Sequence, residues 1–158
     1  MKKLILTSFA VFASFAFMNA QNIADNAIGL RLGFNDNIGT EISYQRALGD
    51  NNRLEIDLGW RGRKGYDAFK LTGIYQWVWE LDENFNWYTG AGGGLGSVSF
   101  DNNSLDSETF FFLSGDLGVE YDFDFPLILS FGIRPEIGFA DFNDGIDIDV
   151  ALGIRYQF

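Results

Sequence analysis

From Ile146 to Phe158 the chain alternates without a break. Ile146, Ile148, Val150, Leu152, Ile154, Tyr156 and Phe158 form one row, and Asp147, Asp149, Ala151, Gly153, Arg155 and Gln157 form the other. Successive side chains of a strand point to opposite faces, so one face here is wholly apolar and the other polar or small. Such a strand suits an apolar face against lipid, a polar face toward an enclosed interior, and aromatics at the membrane boundary. The segment therefore fixes the solvent as well as the secondary structure. It predicts a strand of a transmembrane barrel.

The N-terminus supports the same reading. Lys2 and Lys3 precede an apolar or small run from Leu4 to Met18, and Asn19-Ala20 offers a cleavage point before Gln21. This is the layout of a secretory signal peptide, and the run is shorter than the ~20 residues a membrane-spanning helix needs. The expected organisation is a cleaved signal peptide over 1–20 and one barrel over 21–158. With no cysteine there is no lipoprotein acylation site, disulfide or thiol chemistry. A formal charge of −11 argues against nucleic acid as a partner, because phosphate binding needs basic surface.

The period-2 pattern recurs seven more times, giving strands over about 27–34, 38–47, 53–61, 67–80, 85–98, 109–123 and 127–137, before the last at 146–158. In each, one row is mainly apolar and the other carries glycine, polar or charged residues, although the fourth, fifth, sixth and seventh put some aromatic or aliphatic residues inward. The fifth strand is rich in glycine, with Gly90, Gly92, Gly94 and Gly96 on the inward row. Those glycines leave space that Arg and Glu side chains from opposite strands are expected to fill. The predicted fold class is all-β: a closed, antiparallel, eight-stranded up-and-down transmembrane barrel. Closure is required because lipid cannot satisfy an unpaired sheet edge.

The connectors sort by end. Residues 48–52, 82–84 and 124–126 are short turns; 62–66, 101–108 and 139–145 form the other set, with a very short 35–37 beside them. Short turns belong on the periplasmic side with both termini, and the other set outside the cell. Trp77, Trp79, Phe85, Trp87, Tyr121, Phe123, Tyr156 and Phe158 gather at the turn end, and Phe34, Trp60 and Phe69 at the other. Two aromatic bands match the girdles of the two membrane interfaces. Pro135 lacks a ladder donor and is expected near the outer rim, at a bulge or beyond the hydrocarbon.

The signal peptide, the eight amphipathic strands and the Tyr156-Gln157-Phe158 ending together resemble the small outer-membrane proteins of the OmpX and OmpA-barrel type, over roughly residues 22–158. The resemblance lies in architecture and in the terminal motif. It implies that the C-terminal strand, through Ile154, Tyr156 and Phe158, is the signal read by the barrel-assembly machinery. The expected partners are that machinery, outer-membrane lipid and lipopolysaccharide, with the barrel monomeric and the location the bacterial outer membrane. The strands and outer loops are shorter than those of adhesive members, which speaks against a protruding adhesion sheet.

The inward rows define the main candidate site. Arg31, Arg61, Lys70, Arg134 and Arg155 face Glu41, Glu55, Asp57, Asp116, Glu120, Glu136, Asp147 and Asp149. Charges in a narrow interior should pair, because an unpaired buried charge is expensive. An ion-pair plug is one outcome; a thin cation-preferring path is the other. Catalysis is disfavoured by composition. There is no histidine and no cysteine, and the outer-membrane enzymes of similar architecture use a histidine as base. Asp147 and Asp149 share a face and are expected to be lumenal network members rather than an acid–base pair. The acidic segments 101–108 and 141–145 offer oxygen ligands for Ca²⁺, yet Asn, Asp and Gly are also what tight turns demand. Arg63 and Lys64 stand where lipopolysaccharide phosphates would lie, and as exposed bases are as readily solvated.

No cofactor is implied. The expected role is non-enzymatic, in envelope structure or surface interaction. A small low-conductance porin-like channel is the alternative from a transport class. A secreted soluble barrel binding an apolar ligand is the other, and it requires the apolar rows to point inward.

Overall fold

The computed structural model describes residues 23–34, 39–63, 66–100, 107–140 and 143–158. They form eight strands: β1 (Asn26–Gly33), β2 (Gly39–Ala47), β3 (Asn52–Arg63), β4 (Tyr66–Asp82), β5 (Phe85–Phe100), β6 (Ser107–Asp122), β7 (Leu127–Ala140) and β8 (Asn143–Gln157). Each pairs antiparallel with the next, and β8 returns to β1 to close the barrel. The closing register sets Ala27 opposite Gln157, Leu30 opposite Ile154 and Gly33 opposite Ala151. The amide of Phe158 then donates to the carbonyl of Asn26 at 2.9 Å, extending the seam by one bond. All eight predicted strands are present. The signal-peptide segment 1–20 lies outside the described residues.

The strands run further outward than the alternation alone suggests. β3 continues to Arg63 and β4 starts at Tyr66; β7 reaches Ala140 and β8 starts at Asn143. Much of what the composition marks as loop at 62–66 and 139–145 is therefore ladder. Gly and Asp at those positions mimic turn chemistry, but in a barrel the neighbouring strand supplies the partner whatever the local propensity. The wall is uneven in height: β1 has 8 residues and β2 has 9, whereas β4 has 17.

The predicted rows of the described residues face the sides their alternation assigns. Among the described residues, 17 polar or charged side chains are buried against seven apolar ones, while large apolar side chains from Ile28 to Phe158 are exposed. That ordering is the reverse of a water-soluble core. It fits a barrel whose outer face meets lipid and whose polar face is enclosed. It also places the apolar rows outward, opposite to what a soluble lipocalin-like barrel requires.

The aromatics cluster across strands where the rows predict. Trp79 and Trp87 are register partners and stack at 4.5 Å with planes 19° apart. Tyr121 meets Phe85 edge-on at 4.8 Å and Phe123 at 4.7 Å. Trp60 and Phe69 pair across β3 and β4, exposed, toward the other end. Such pairs add roughly 0.5–1.5 kcal/mol beyond their buried area.

Pro135 sits inside β7 opposite Ile148, and not at the rim or at a bulge. On the β6 side the ladder runs to Ser114–Glu136, lapses, and resumes at Leu117–Ile133 in the same register. The gap is local because Ser114 supplies a donor where proline has none. Its hydroxyl donates to the carbonyl of Gly115 at 3.1 Å and lies 3.4 Å from that of Pro135. A side-chain hydroxyl thus keeps a proline within a strand that would otherwise exclude it.

Candidate functional site: the charged interior

Four strands, β3, β6, β7 and β8, aim carboxylates or guanidiniums at a common centre, β3 supplying two of them. Glu55 on β3 is the hub. Its Oε1 accepts from Arg134 Nη2 at 2.8 Å, and its Oε2 accepts from Arg155 Nη2 at 3.0 Å, Gln45 Nε2 at 2.6 Å and Gln76 Nε2 at 3.3 Å. Arg134 Nη1 donates to Asp57 Oδ2 at 2.7 Å, and its Nη2 also lies 3.4 Å from Asp116 Oδ2. Arg155 completes its donations on Ser43 and Ser130, each at 2.9 Å. Arg134, Glu55 and Asp57 are each 2 % exposed or less, so the centre is sealed. Charge-assisted bonds with little solvent around them are strong individually, and losing one partner leaves an uncompensated charge.

Two further groups flank the hub. Toward the turn end, Arg53 makes a two-pronged contact with Glu120 at 3.0 and 2.7 Å, donates Nε to Gln76 at 2.6 Å, and lies over the Tyr88 ring at 5.2 Å. Toward the other end, Arg31 Nη1 bridges Glu41 at 2.8 Å and Asp149 at 2.7 Å. Lys70 holds both oxygens of Glu136, at 2.6 and 2.7 Å, and lies 4.8 Å from the centre of the Phe112 ring.

Most of the predicted lumenal set is brought together: Arg31, Glu41, Glu55, Asp57, Lys70, Asp116, Glu120, Arg134, Glu136, Asp149 and Arg155 all lie in these groups. Asp147 pairs in register with Glu136 and is exposed, closer to the rim than to the hub. The side chain of Arg61 lies outside the described residues. So do residues 101–106, 141 and 142 of the two acidic segments, as well as Lys64. Among the described residues no group of three or more acidic, histidine or cysteine side chains forms a metal-holding cluster.

Sequence reasoning missed Arg53. The inward row Glu55, Asp57, Gly59 extends back two positions to it, so the period-2 signal was there to be followed one step further. Gln45 and Gln76 are on the predicted inward rows, but nothing in their identity marks them as partners of Glu55. The inward glycines of β5 behave differently from expectation. Phe112 of the neighbouring strand lies over Gly94, and Phe110 over Gly96. Gly90 is covered by Ile74 and Gln76, and Gly92 by the backbone of Gly73. The space is taken by nearby rings and backbone because those residues lie on adjacent strands, whereas the Arg and Glu side chains are already committed to the centre. Similarly, the Tyr88 hydroxyl nests against Gly118 and Gly132.

Space inside the barrel is small. A cavity of about 90 Å³ lies in the outer half, beside Glu41, Gly59, Lys70 and Phe110. Beside Arg53, Glu120 and Ile128 near the turn end the free volume is about 10 Å³. Between them stand the Arg134 and Arg155 guanidiniums.

The geometry finds counterparts among solved structures. The N-terminal β-barrel domain of Pseudomonas aeruginosa OprF aligns with a TM-score of 0.73 at 13% identity, covering 89% of this chain and 100% of that one. The fold is that of the small outer-membrane barrels. Neisserial surface protein A aligns at 0.63, with 14% identity over 84% of this chain and 94% of that one. Ail, the attachment invasion locus protein of Yersinia pestis, aligns at 0.57, with 15% identity over 87% and 99%. No family model and no curated protein matches the sequence.

Proposed function

We propose that this chain is an integral outer-membrane protein with a non-enzymatic role in envelope structure or surface interaction. The carrying observation is the inverted burial: an apolar girdle outside and an ion-paired interior inside a closed ladder. A barrel filled this way acts through its wall and rims. The absence of histidine and cysteine from the sequence leaves carboxylates as the only general bases of ordinary pKa, and those at the centre are occupied by guanidiniums. Its lipid neighbours are outer-membrane lipid and lipopolysaccharide, and the barrel is monomeric. Ile154, Tyr156 and Phe158 present the terminal strand to the assembly machinery.

Ail is solved with the heparin analogue sucrose octasulfate. A formal charge of −11 makes a polysulfated ligand a poor fit to this chain.

A small cation-preferring channel is the second reading. It is favoured by the surplus of lumenal carboxylates and by the outer cavity. The deciding experiment pairs two readouts on the same preparation. Unboiled and boiled outer-membrane fractions on SDS gels test the barrel and its location: a heat-dependent shift in that fraction is expected, and an unshifted soluble protein overturns the membrane assignment. Planar-bilayer recording tests the lumen: steady conductance that changes on Glu120→Gln would replace the surface role with the channel.

A further inference from the structure

One cation stands apart from the charged interior. Arg31, Arg53, Lys70, Arg134 and Arg155 are each ion-paired on the inward rows. Arg46 is the other basic side chain among the described residues, and it is ion-paired with none of them. It lies exposed on the outward row of β2, with Ile42 and Tyr44. Carboxylates are plentiful at the same end of the barrel, where Asp25, Asp50, Asp82 and Asp124 are exposed, yet none closes on Arg46.

The neighbours of Arg46 fix its direction. Asn26 faces it across the β1–β2 ladder. Asn26 Oδ1 accepts from Arg46 Nη1 at 2.9 Å and from the Tyr44 hydroxyl at 2.8 Å. Asn26 Nδ2 lies 3.4 Å from the carbonyl oxygen of Phe158. Asn26 is thus tied to β2 and to the last residue of the chain, and it occupies one nitrogen of the guanidinium. Nε and Nη2 have no acceptor among the described residues. They form one edge of the guanidinium, a planar two-donor fork whose spacing matches two oxygens of a phosphate.

Toward the middle of the wall the same face turns apolar. Ile28 is the register partner of both Tyr44 and Tyr156, and Ile56 lies opposite Tyr44 on β3. Ile28, Ile56 and Tyr156 are 46, 39 and 56 % exposed. A cationic fork at the end of an apolar strip is complementary to an amphiphile with an anionic head. The depth agrees, since an outward arginine is costly at the bilayer midplane and nearly free at the interface.

We infer that Arg46, steadied by Asn26 and Tyr44, holds the phosphodiester of a glycerophospholipid at the turn end of β1 and β2, with the acyl chains over Ile28 and Ile56. The site rests on the membrane reading above. A lipid satisfies both halves of this surface, whereas a free anion would use the fork and leave the strip bare.

The test uses the full refolded barrel in a maltoside, a detergent without phosphate. Native mass spectrometry follows titration with a phosphatidylethanolamine, and with a diacyl glycolipid of the same chains. Arg46→Gln keeps a donor for Asn26 and removes the charge and the fork. The first phospholipid should be held about tenfold more tightly by the wild type than by Arg46→Gln, the scale of one charge-assisted contact. The glycolipid should bind both alike and more weakly.

Equal retention of phospholipid by the two proteins overturns the inference. Equal retention of phospholipid and glycolipid by the wild type overturns it without any variant. Displacement of the phospholipid by inorganic phosphate overturns it too, because the fork would then serve a free anion. The gel heat shift is run on both proteins in parallel. A shift without phospholipid preference defeats the site and leaves the membrane reading standing; no shift in the wild type defeats both.

Discussion

Arg134 on β7 and Glu55 on β3 meet at 2.8 Å inside the barrel, although 79 residues separate them in the chain. The contact ties two strands that share no ladder. Glu55→Ala removes the common acceptor of Arg134 and Arg155 and leaves both guanidiniums short of a partner. Loss of one member of a buried pair costs about 3–5 kcal/mol. Urea unfolding in detergent micelles should show a drop of that order, and an unchanged midpoint would mean that the network is slack.

Ionic sealing predicts electrical silence. The wild-type barrel in a planar bilayer should show no steady open level. Shortening Arg134 and Arg155 together to glycine empties the space between the outer cavity and the turn-end constriction, and should produce measurable, cation-favouring conductance. If the double variant folds by gel shift and stays silent, the barrier lies elsewhere.

Tyr88 and Gly118 form a steric pair, because a Cβ at 118 would meet the phenol. Gly118→Val should therefore destabilise by about 1–3 kcal/mol, as overpacking does. Adding Tyr88→Ala should recover the part due to the phenol but not the part due to the Phe131 carbonyl, which also crowds that Cβ, and a double-mutant cycle reads the coupling directly. Additive losses would show that the ring simply turns aside.

Depth can be read from the outer face. Ile133 is mid-strand and exposed on β7; Tyr156 is exposed at the end of β8. Ile133→Arg should cost about 2–4 kcal/mol in lipid and Tyr156→Arg about 0–1. Equal, small effects at both positions would be the behaviour of a barrel in water.

These tests rest on features that differ in how legible they are in the sequence. Facing is fully legible, because a period of two leaves each residue one of two sides. Ile146 to Phe158 obeys that rule with no local exception. The identity of the hub is not legible. Glu55 looks no different from Glu41 or Glu120 until the register of β3 against β2 and β4, together with the barrel's curvature, aims Gln45, Gln76, Arg134 and Arg155 at it. Arg53 opens the predicted strand at 53–61, on the same row as Glu55 and Asp57, and strand ends are where local pattern is weakest. Pro135 reads as a residue for the rim or a bulge, since the hydroxyl of Ser114 that accommodates it within β7 comes from another strand. The β5 glycines mark space on the inward face, but the Arg and Glu side chains expected there do not take it. Proximity settled that in favour of Phe110 and Phe112.

The seam between β1 and β8 has a temporal meaning. Asn26 and Phe158 are 132 positions apart, so their pairing closes the longest loop the described chain contains. Hairpins can zip from neighbour to neighbour, but this ladder has no counterpart until β8 is in place. Until then two raw edges face lipid, where an unpaired amide has nothing to bind. Closure is therefore a latch: β1 has no second neighbour until β8 is laid beside it from Gly33–Ala151 to Ala27–Gln157.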